Sequence, residues 1–351
     1  MSRWAVAYAV CALLVLVLPS VFSGGPFSAR TFPFLGNSAA ARDAVPLATA
    51  VWKEMNTTGR PPITEGGALT YDAKDGYSIL FGGKHFSPNH NVWHLTNDTW
   101  KYVARKWTFL RPTVSPPARD YSMITFDAKD GYVVLYGGAT GSGGVLRDTW
   151  MFAAGNWTNI TNAASPPPRA NSSFAYDPSD HYSVLYGGVV GGRPMNETWT
   201  FSGGNWTNVT TSLGPGPRTT AGLTFDPKVG GVLLYGGCTG TKDTWKFKAG
   251  VWKQIFPKNR TSYPMCDDAM AYDPNASLAI LFGGPYSLGH PRPDWKFAGV
   301  PPKWSTISSP VTPPLRVIPP KMTWDAADFC VLLTDWADQS GNEVSTTWQF
   351  Q

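Results

Sequence analysis

The stretch Tyr132-Val133-Val134-Leu135-Tyr136-Gly137-Gly138 is an apolar run of five residues that ends in a pair of glycines. A short run that is apolar on both faces suits a β-strand buried from both sides. A glycine pair lets the chain turn away where neighbouring strands crowd. The stretch therefore predicts a buried strand that is followed at once by a loop.

The same pattern occurs five times at a nearly constant interval. The glycine pairs begin at Gly82, Gly137, Gly187, Gly236 and Gly283, which are 55, 50, 49 and 47 residues apart. Two tryptophans follow each pair, first at Trp100, Trp150, Trp199, Trp245 and Trp295, then at Trp107, Trp157, Trp206, Trp252 and Trp304. Landmarks that repeat together at one period indicate a repeat protein.

One unit, residues 119–161, contains four strand patterns. Residues 121–127 and 132–136 flank one turn, and residues 148–153 and 157–161 flank a tight turn that contains Gly155. Four antiparallel strands per unit, repeated radially, describe the blade of a β-propeller. We therefore predict an all-β fold.

The landmarks resemble the Kelch repeat, the family that includes the central propeller domain of galactose oxidase. A glycine pair after an apolar strand, an aromatic residue some twelve residues later and a further Trp beyond it are similar to the Kelch pattern. The Pro-rich stretches before Arg119, Arg169 and Arg218 also look like Kelch. The last unit departs from the pattern, because Leu333-Thr334-Asp335 stands where the glycine pair is expected. The resemblance covers residues 50–351 and implies a fold rather than a function.

The ends of the chain complement each other. Thr347-Trp348-Gln349-Phe350 matches a third strand, after which the sequence has no fourth. Trp52 lies in a segment that matches a fourth strand with no preceding three. We therefore predict six blades, the last completed by the N-terminal strand around Trp52, which removes exposed strand edges.

Composition narrows the functional class. The net charge is +5, and no run of five Lys or Arg residues occurs, so nothing favours a nucleic-acid partner. Only 15% of residues are charged and 14% are aromatic, as expected for many short strands.

The N-terminus predicts export. Arg3 precedes an uncharged, mostly apolar run from Trp4 to Leu18, and small residues end at Ser23. We interpret residues 1–23 as a signal peptide or, alternatively, an N-terminal membrane anchor over residues 4–22. Residues 24–49 follow as a flexible spacer and residues 50–351 as the propeller. The expected location is extracellular or at the cell surface, with a membrane tether as the alternative.

Cysteines and glycosylation sequons agree with an exported protein. Cys238 and Cys266 fall on one face in adjacent blades and predict a disulfide, while Cys330 lies in a strand as a buried thiol. Ten of the fifteen Asn residues begin Asn-X-Ser/Thr sequons: Asn56, Asn97, Asn156, Asn159, Asn171, Asn196, Asn205, Asn208, Asn259 and Asn275. Repeated Asn-Trp-Thr turns with an N-terminal export segment resemble exported, envelope-associated Kelch proteins of archaea.

The recurrent residues are expected to serve structure. Twelve Trp occupy the two repeat positions, and packing between blades requires each of them equally, whereas a set of sugar platforms would not use every unit alike. Arg119, Arg169 and Arg218 precede Asp127, Asp177 and Asp226 by eight residues. We expect these arginines to make structural hydrogen bonds at the start of each blade, with carboxylate binding as the alternative.

The irregular loops predict where a ligand binds, because loops carry function where the repeat does not dictate the residue. The candidate residues lie in blades one, five and six, which are neighbours in a closed ring: His85, His90, Trp93, His94, Tyr286, His290, Asp335 and Trp336. A glycan or protein partner suits aromatics with carboxylates, and a divalent metal is the alternative for His with carboxylates. Ordinary solvated loops also remain open.

An enzyme is the less favoured interpretation. The resemblance to galactose oxidase implies a copper site with a Cys–Tyr cross-link and two His, and the sequence offers no such set; nor does it contain a serine-nucleophile motif. We expect no cofactor. The sequence thus favours an exported Kelch propeller that binds a protein or glycan, with two alternatives: a structural glycosylated envelope component, or a metal-dependent oxidase or hydrolase.

Overall fold

A computed structural model describes residues 51–62, 65–87, 92–259, 261, 266–283, 294–313, 320–337 and 343–351. For residues 86–87, 335–337 and 343–344 it describes the backbone alone. The chain divides into two units, Met1–Asp43 and Ala44–Gln351. The predicted export segment and spacer, residues 1–49, lie outside the described residues. In the described ranges no helix is long and apolar enough to cross a membrane.

Six four-stranded antiparallel sheets form the second unit, and each is one propeller blade. Blade one comprises β2 (Ala68–Asp72), β3 (Tyr77–Phe81), β6 (Thr99–Val103) and β7 (Lys106–Leu110), with a hairpin of β4 (Lys84–Ser87) and β5 (Val92–Leu95) inserted. Blade two comprises β8 (Met123–Asp127), β9 (Tyr132–Tyr136), β10 (Thr149–Ala153) and β11 (Asn156–Asn159). Blade three comprises β12 (Ser173–Asp177), β13 (Tyr182–Tyr186), β16 (Thr198–Ser202) and β17 (Asn205–Asn208), with a small hairpin of β14 (Val189–Val190) and β15 (Arg193–Pro194).

The remaining blades follow the same plan. Blade four comprises β18 (Gly222–Asp226), β19 (Gly231–Tyr235), β20 (Thr244–Lys248) and β21 (Val251–Ile255). Blade five comprises β22 (Asp268–Asp273), β23 (Leu278–Gly283), β24 (Trp295–Ala298) and β25 (Lys303–Thr306). Blade six comprises β26 (Lys321–Asp325), β27 (Cys330–Ala337), β28 (Glu343–Phe350) and β1 (Trp52–Glu54). The all-β, six-bladed prediction is confirmed.

The N-terminal strand closes the ring as predicted. β1 pairs antiparallel with β28, with Trp52 opposite Phe350 and Glu54 opposite Trp348. The backbone N–H of Met55 donates to the Thr347 carbonyl at 2.8 Å. The first strands of successive blades contact one another around the whole ring, including β2 against β26. The first strands therefore surround a central channel.

One aspartate ends the first strand of every blade. These turn aspartates are Asp72, Asp127, Asp177, Asp226, Asp273 and Asp325. In each blade the Oδ1 atom accepts the backbone N–H groups two and three residues later, at 2.8–3.2 Å. These hydrogen bonds form an Asx turn, which stabilises the chain reversal between strands one and two. The turn aspartates also provide a reference position from which equivalent residues of the six blades can be counted.

The second tryptophan of each unit joins one blade to the preceding one. Its indole N–H donates to the threonine that comes just before the first tryptophan of the preceding blade's third strand. The distances are 2.9–3.0 Å in the pairs Trp107–Thr347, Trp157–Thr99, Trp206–Thr149, Trp252–Thr198 and Trp304–Thr244. All five indoles are buried. A role in packing between blades, rather than in sugar stacking, accounts for these tryptophans.

The three arginines are structural, but their partners are not the aspartates eight residues downstream. Arg119 is fully buried, and its guanidinium donates to both carboxylate oxygens of Asp148, at 2.5 and 2.7 Å. Arg218 pairs in the same way with both oxygens of Asp243, whereas Arg169 donates to one oxygen of Glu197. Each acidic partner also accepts the first tryptophan's indole N–H. These ion pairs fix the start of each third strand to the segment that leads into the same blade.

The glycine pair permits close contact between blades. Gly137 has φ +60°, and a Cβ built there would lie 2.5 Å from the Arg169 carbonyl oxygen. The N–H of Gly138 donates to the same carbonyl at 3.0 Å. Any side chain at Gly137 would displace this contact, which explains the glycine without a ligand.

Candidate functional site

The channel has an acidic, polar mouth on the side where each blade connects to the next. A cavity of about 160 Å³ opens there and is lined by residues from all six blades. Its polar side chains include Tyr121, Asn171, Thr220, Asp268 and Lys321. Convergence of polar groups from separate elements on one concavity is the usual form of a small-ligand site.

A left-handed backbone position surrounds this mouth. The residue six positions before the turn aspartate has positive φ in five blades: Gly66 (+68°), Tyr121 (+51°), Asn171 (+57°), Thr220 (+47°) and Asp267 (+58°). The equivalent residue of blade six lies outside the described part of the chain. We call these five residues the mouth positions.

The mouth positions are linked from blade to blade by hydrogen bonds. The N–H of Tyr121 donates to the Gly66 carbonyl at 2.7 Å, and that of Asn171 donates to the Tyr121 carbonyl at 3.2 Å. The N–H of Thr220 donates to the Asn171 carbonyl at 2.9 Å, and that of Asp267 to the Thr220 hydroxyl at 3.3 Å. This belt explains the shared backbone conformation, because each residue must offer both groups to its neighbours.

The belt explains the conformation, and it also explains the residue type of Thr220, whose hydroxyl accepts the Asp267 N–H. It does not require the side chains of Tyr121, Asn171 and Asp267. Left-handed backbone costs roughly 1–2 kcal/mol for a residue with a Cβ, whereas glycine adopts it freely. Blade one uses Gly66 at this position, so the fold accepts glycine there. Four polar or aromatic residues instead occupy the strained position, and strained residues are concentrated at functional sites. The predicted strand 121–127 begins only at Met123, because Tyr121 is left-handed.

The charges at the mouth are mostly negative. Four carboxylates, Glu65, Asp120, Asp267 and Asp268, lie there with two lysines, Lys84 and Lys321. Burial raises the pKa of Asp120. Burial also lowers the pKa of Lys321 to about 8, although Asp267, Glu65 and Asp120 oppose this shift.

The inserted hairpin of blade one adjoins the mouth through Lys84. The Lys84 ammonium lies 3.1 Å from Glu65 and 5.8 Å from the centre of the Tyr121 ring. It also lies 5.5 Å from the centre of the Trp93 ring. Trp93 is 44% exposed, which distinguishes it from the buried structural tryptophans. Its indole is therefore available beside the polar mouth.

The structure describes only some of the site residues predicted from sequence. His85 and His94 face each other on β4 and β5, with ring centres 5.6 Å apart. His90, Tyr286 and His290 lie outside the described residues. Asp335 and Trp336 lie on β27, of which only the backbone is described there. The proposed convergence of these groups across blades five, six and one stays a prediction.

The cysteine pair lies at the rim of the mouth. Cys238 and Cys266 form a disulfide with Cα atoms 4.3 Å apart, and Cys330 is a buried free thiol. The Cys238 sulfur contacts the Thr220 hydroxyl at 2.9 Å. Within the described ranges, the one group of His, Cys, Asp and Glu compact enough for a metal is Cys238, Cys266 and Asp267. A disulfide provides no thiolate, so this oxidised group does not form a zinc site.

Most sequon asparagines are accessible. Nine of the ten are exposed, and Asn171 is half-buried at the mouth. Asn171 differs from the others because it is also a mouth position.

The glycine pairs and the tryptophans, which are the clearest landmarks of the repeat, do not point to the mouth positions. Alignment on the turn aspartates places Tyr121, Asn171, Thr220 and Asp267 in one column. That column contains no repeated residue type, so only its backbone conformation unites it.

No protein-family model matches the chain, and no curated protein matches it. The Kelch resemblance therefore continues to depend on the landmarks in the sequence.

Proposed function

We propose that this chain is an exported, Kelch-like recognition module that binds a glycan at the mouth of the propeller channel. The observation that carries the proposal is the set of polar side chains at left-handed mouth positions where the fold also accepts glycine. Glycine at Asn171 would avoid the backbone strain. The mouth positions keep these side chains although the left-handed backbone is strained, and this favours a role in binding.

The chemistry of the mouth suits a sugar. Carboxylates of Asp267 and Asp268 accept hydrogen bonds from hydroxyl groups, and the Asn171 amide can both donate and accept. The exposed Trp93 offers an apolar ring face beside them, as aromatic residues do where one side of a ligand is apolar and the other is wet. Carboxylates outnumber lysines at the mouth four to two, which favours a neutral or amino sugar over an anionic one.

Export is the second part of the proposal and is supported by sequence. The apolar N-terminal run, the spacer and the ten sequons suit a cell-surface or secreted protein. The Cys238–Cys266 disulfide suits an oxidising compartment.

A glycan array probed with the full mature chain tests the binding proposal. Variants Asn171→Gly and Trp93→Ala should each lose at least about tenfold in affinity, because each removes one direct contact. Thr158→Ala, an exposed strand residue on blade two, is the matched control and should bind like wild type.

Two results would contradict the proposal. One is that no neutral or amino glycan binds above background. The other is a bound glycan whose affinity neither Asn171→Gly nor Trp93→Ala changes. If the mouth binds a protein and no glycan, the partner belongs to the alternative class, a protein.

A second candidate role is a glycosylated envelope component without a specific ligand. The observation that favours it is the exposure of nine sequon asparagines. Intact-mass measurement of protein purified from its native source, before and after deglycosylation, tests this role. A mass equal to that of the bare polypeptide would exclude it.

A further inference from the structure

An aromatic residue precedes the turn aspartate in every blade. These six residues, which we call the channel girdle, are Tyr71, Phe126, Tyr176, Phe225, Tyr272 and Trp324. All six are half-buried, unlike the buried tryptophans that join the blades. Strand one has five residues in most blades, so the girdle lies about 16 Å along the channel from the mouth positions.

The channel girdle surrounds a cavity of about 280 Å³ on the propeller axis. The cavity is lined only by residues of the six first strands, with the girdle at its end nearest the turns. Four of the girdle residues, Phe126, Phe225, Tyr272 and Trp324, also pack against the apolar cores of the blades. Leu69, Ile124 and Leu223, two residues earlier in their strands, fill the equivalent space with aliphatic groups.

The electrostatic potential at the girdle is negative. The charged groups that act most strongly on the three tyrosine hydroxyls are all carboxylates: Asp325, Asp72 and Asp328 at Tyr71, Asp127, Asp130 and Asp177 at Tyr176, and Asp226 and Asp273 at Tyr272. Burial, together with these charges, raises the pKa of Tyr71 and of Tyr176 to about 12. The tyrosines are therefore neutral, and their rings stay available to a cation.

We propose that the channel girdle binds an organic ammonium ion on the propeller axis. Aromatic faces attract cations through their quadrupole, and the attraction is stronger when the cation is desolvated. The surrounding turn aspartates favour a positive ligand over a neutral one of the same shape. A quaternary or alkylated ammonium group suits a wide, aromatic cavity better than a small, strongly hydrated metal ion does. This site lies beyond the mouth and does not depend on the glycan proposal.

Choline and its neutral isostere 3,3-dimethylbutan-1-ol test this proposal by titration of the full chain at constant ionic strength. Choline should bind saturably, and the neutral isostere at least about tenfold more weakly. Trp324→Leu and Tyr176→Leu should each weaken choline binding about fivefold. Tyr176→Phe should bind choline like wild type, since it keeps the ring and confirms that substitution at this position is compatible with folding.

Two controls locate the cation. Trp93→Leu removes an exposed tryptophan from the hairpin beside the mouth, and Asp267→Asn removes a mouth carboxylate. Both should leave choline affinity unchanged. The proposal is overturned if the two isosteres bind equally, if choline does not bind, or if Asp267→Asn weakens choline while folded Trp324→Leu and Tyr176→Leu do not.

Discussion

At the residue scale, Asp294 is the exception in an otherwise uniform set of contacts between blades. In five blades a threonine comes just before the first tryptophan of the third strand and accepts an indole N–H, and in blade five Asp294 has that place. The Trp52 indole N–H donates to Asp294 Oδ2 at 2.7 Å. Asp294 is 4% exposed, and burial raises its pKa to about 7, although the Trp52 hydrogen bond opposes the shift.

Asp294 makes stability depend on pH. A carboxyl group whose pKa is higher in the folded than in the unfolded chain favours folding most at low pH, and this contribution is lost as pH rises from about 4 to about 7. Asp294→Thr, the residue of the other blades, should be more stable than wild type above pH 7 by up to about 4 kcal/mol. Urea unfolding at pH 4.5 and 8 measures this. An equal difference between wild type and variant at the two pH values would contradict the assignment.

At the element scale, one threonine hydroxyl ties the third strand to the following blade in every blade except blade five. Thr149→Val should cost about 1–3 kcal/mol, because it leaves the buried Trp206 indole N–H without its acceptor. Thr158→Val on the adjacent strand is exposed and should change stability by less than about 0.5 kcal/mol. Chemical denaturation of both variants is the measurement, and equal effects would show that the indole contact contributes nothing.

The closing strand β1 contributes most of its stability through one side chain. Trp52 packs edge-on against Phe282 and Phe350, at 5.4 and 5.2 Å between ring centres, and is 2% exposed. Trp52→Ala should cost about 3–5 kcal/mol. Trp93→Ala, an exposed tryptophan, should cost little. A melting curve for Trp52→Ala that overlaid the wild-type curve would mean that the ring does not depend on β1.

At the scale of the whole molecule, the sequence predicts the propeller well because its landmarks recur in nearly every blade; blade six lacks the glycine pair. The glycine pair, the two tryptophans and the turn aspartate each satisfy a contact between or within blades, so each recurs in phase. Trp52 and Trp348 revealed the closure because each belongs to an incomplete unit. A residue that departs from the repeat, such as Asp294, cannot be predicted from the repeat pattern.

The candidate site was harder to predict for a physical reason. The candidate residues at the mouth are Tyr121, Asn171, Thr220 and Asp267, which share a positive φ angle rather than a residue type. The channel girdle could have been found, since an aromatic residue precedes the turn aspartate six times. The sequence drew attention to the blade-one loop instead, where the structure has a hairpin with His85, Trp93 and His94.

The central proposal is that the Asn171 side chain at the mouth serves binding and not folding. It is tested most directly by measuring stability and glycan affinity on the same Asn171→Gly protein, produced without N-glycosylation. The free energy of unfolding of Asn171→Gly should equal that of wild type or be up to about 1 kcal/mol higher, because the backbone strain is relieved. Glycan binding by the same protein should be lost. Thr158→Gly, in an ordinary strand, should instead lose about 1 kcal/mol and keep binding. A destabilised Asn171→Gly that still binds glycan would contradict the account.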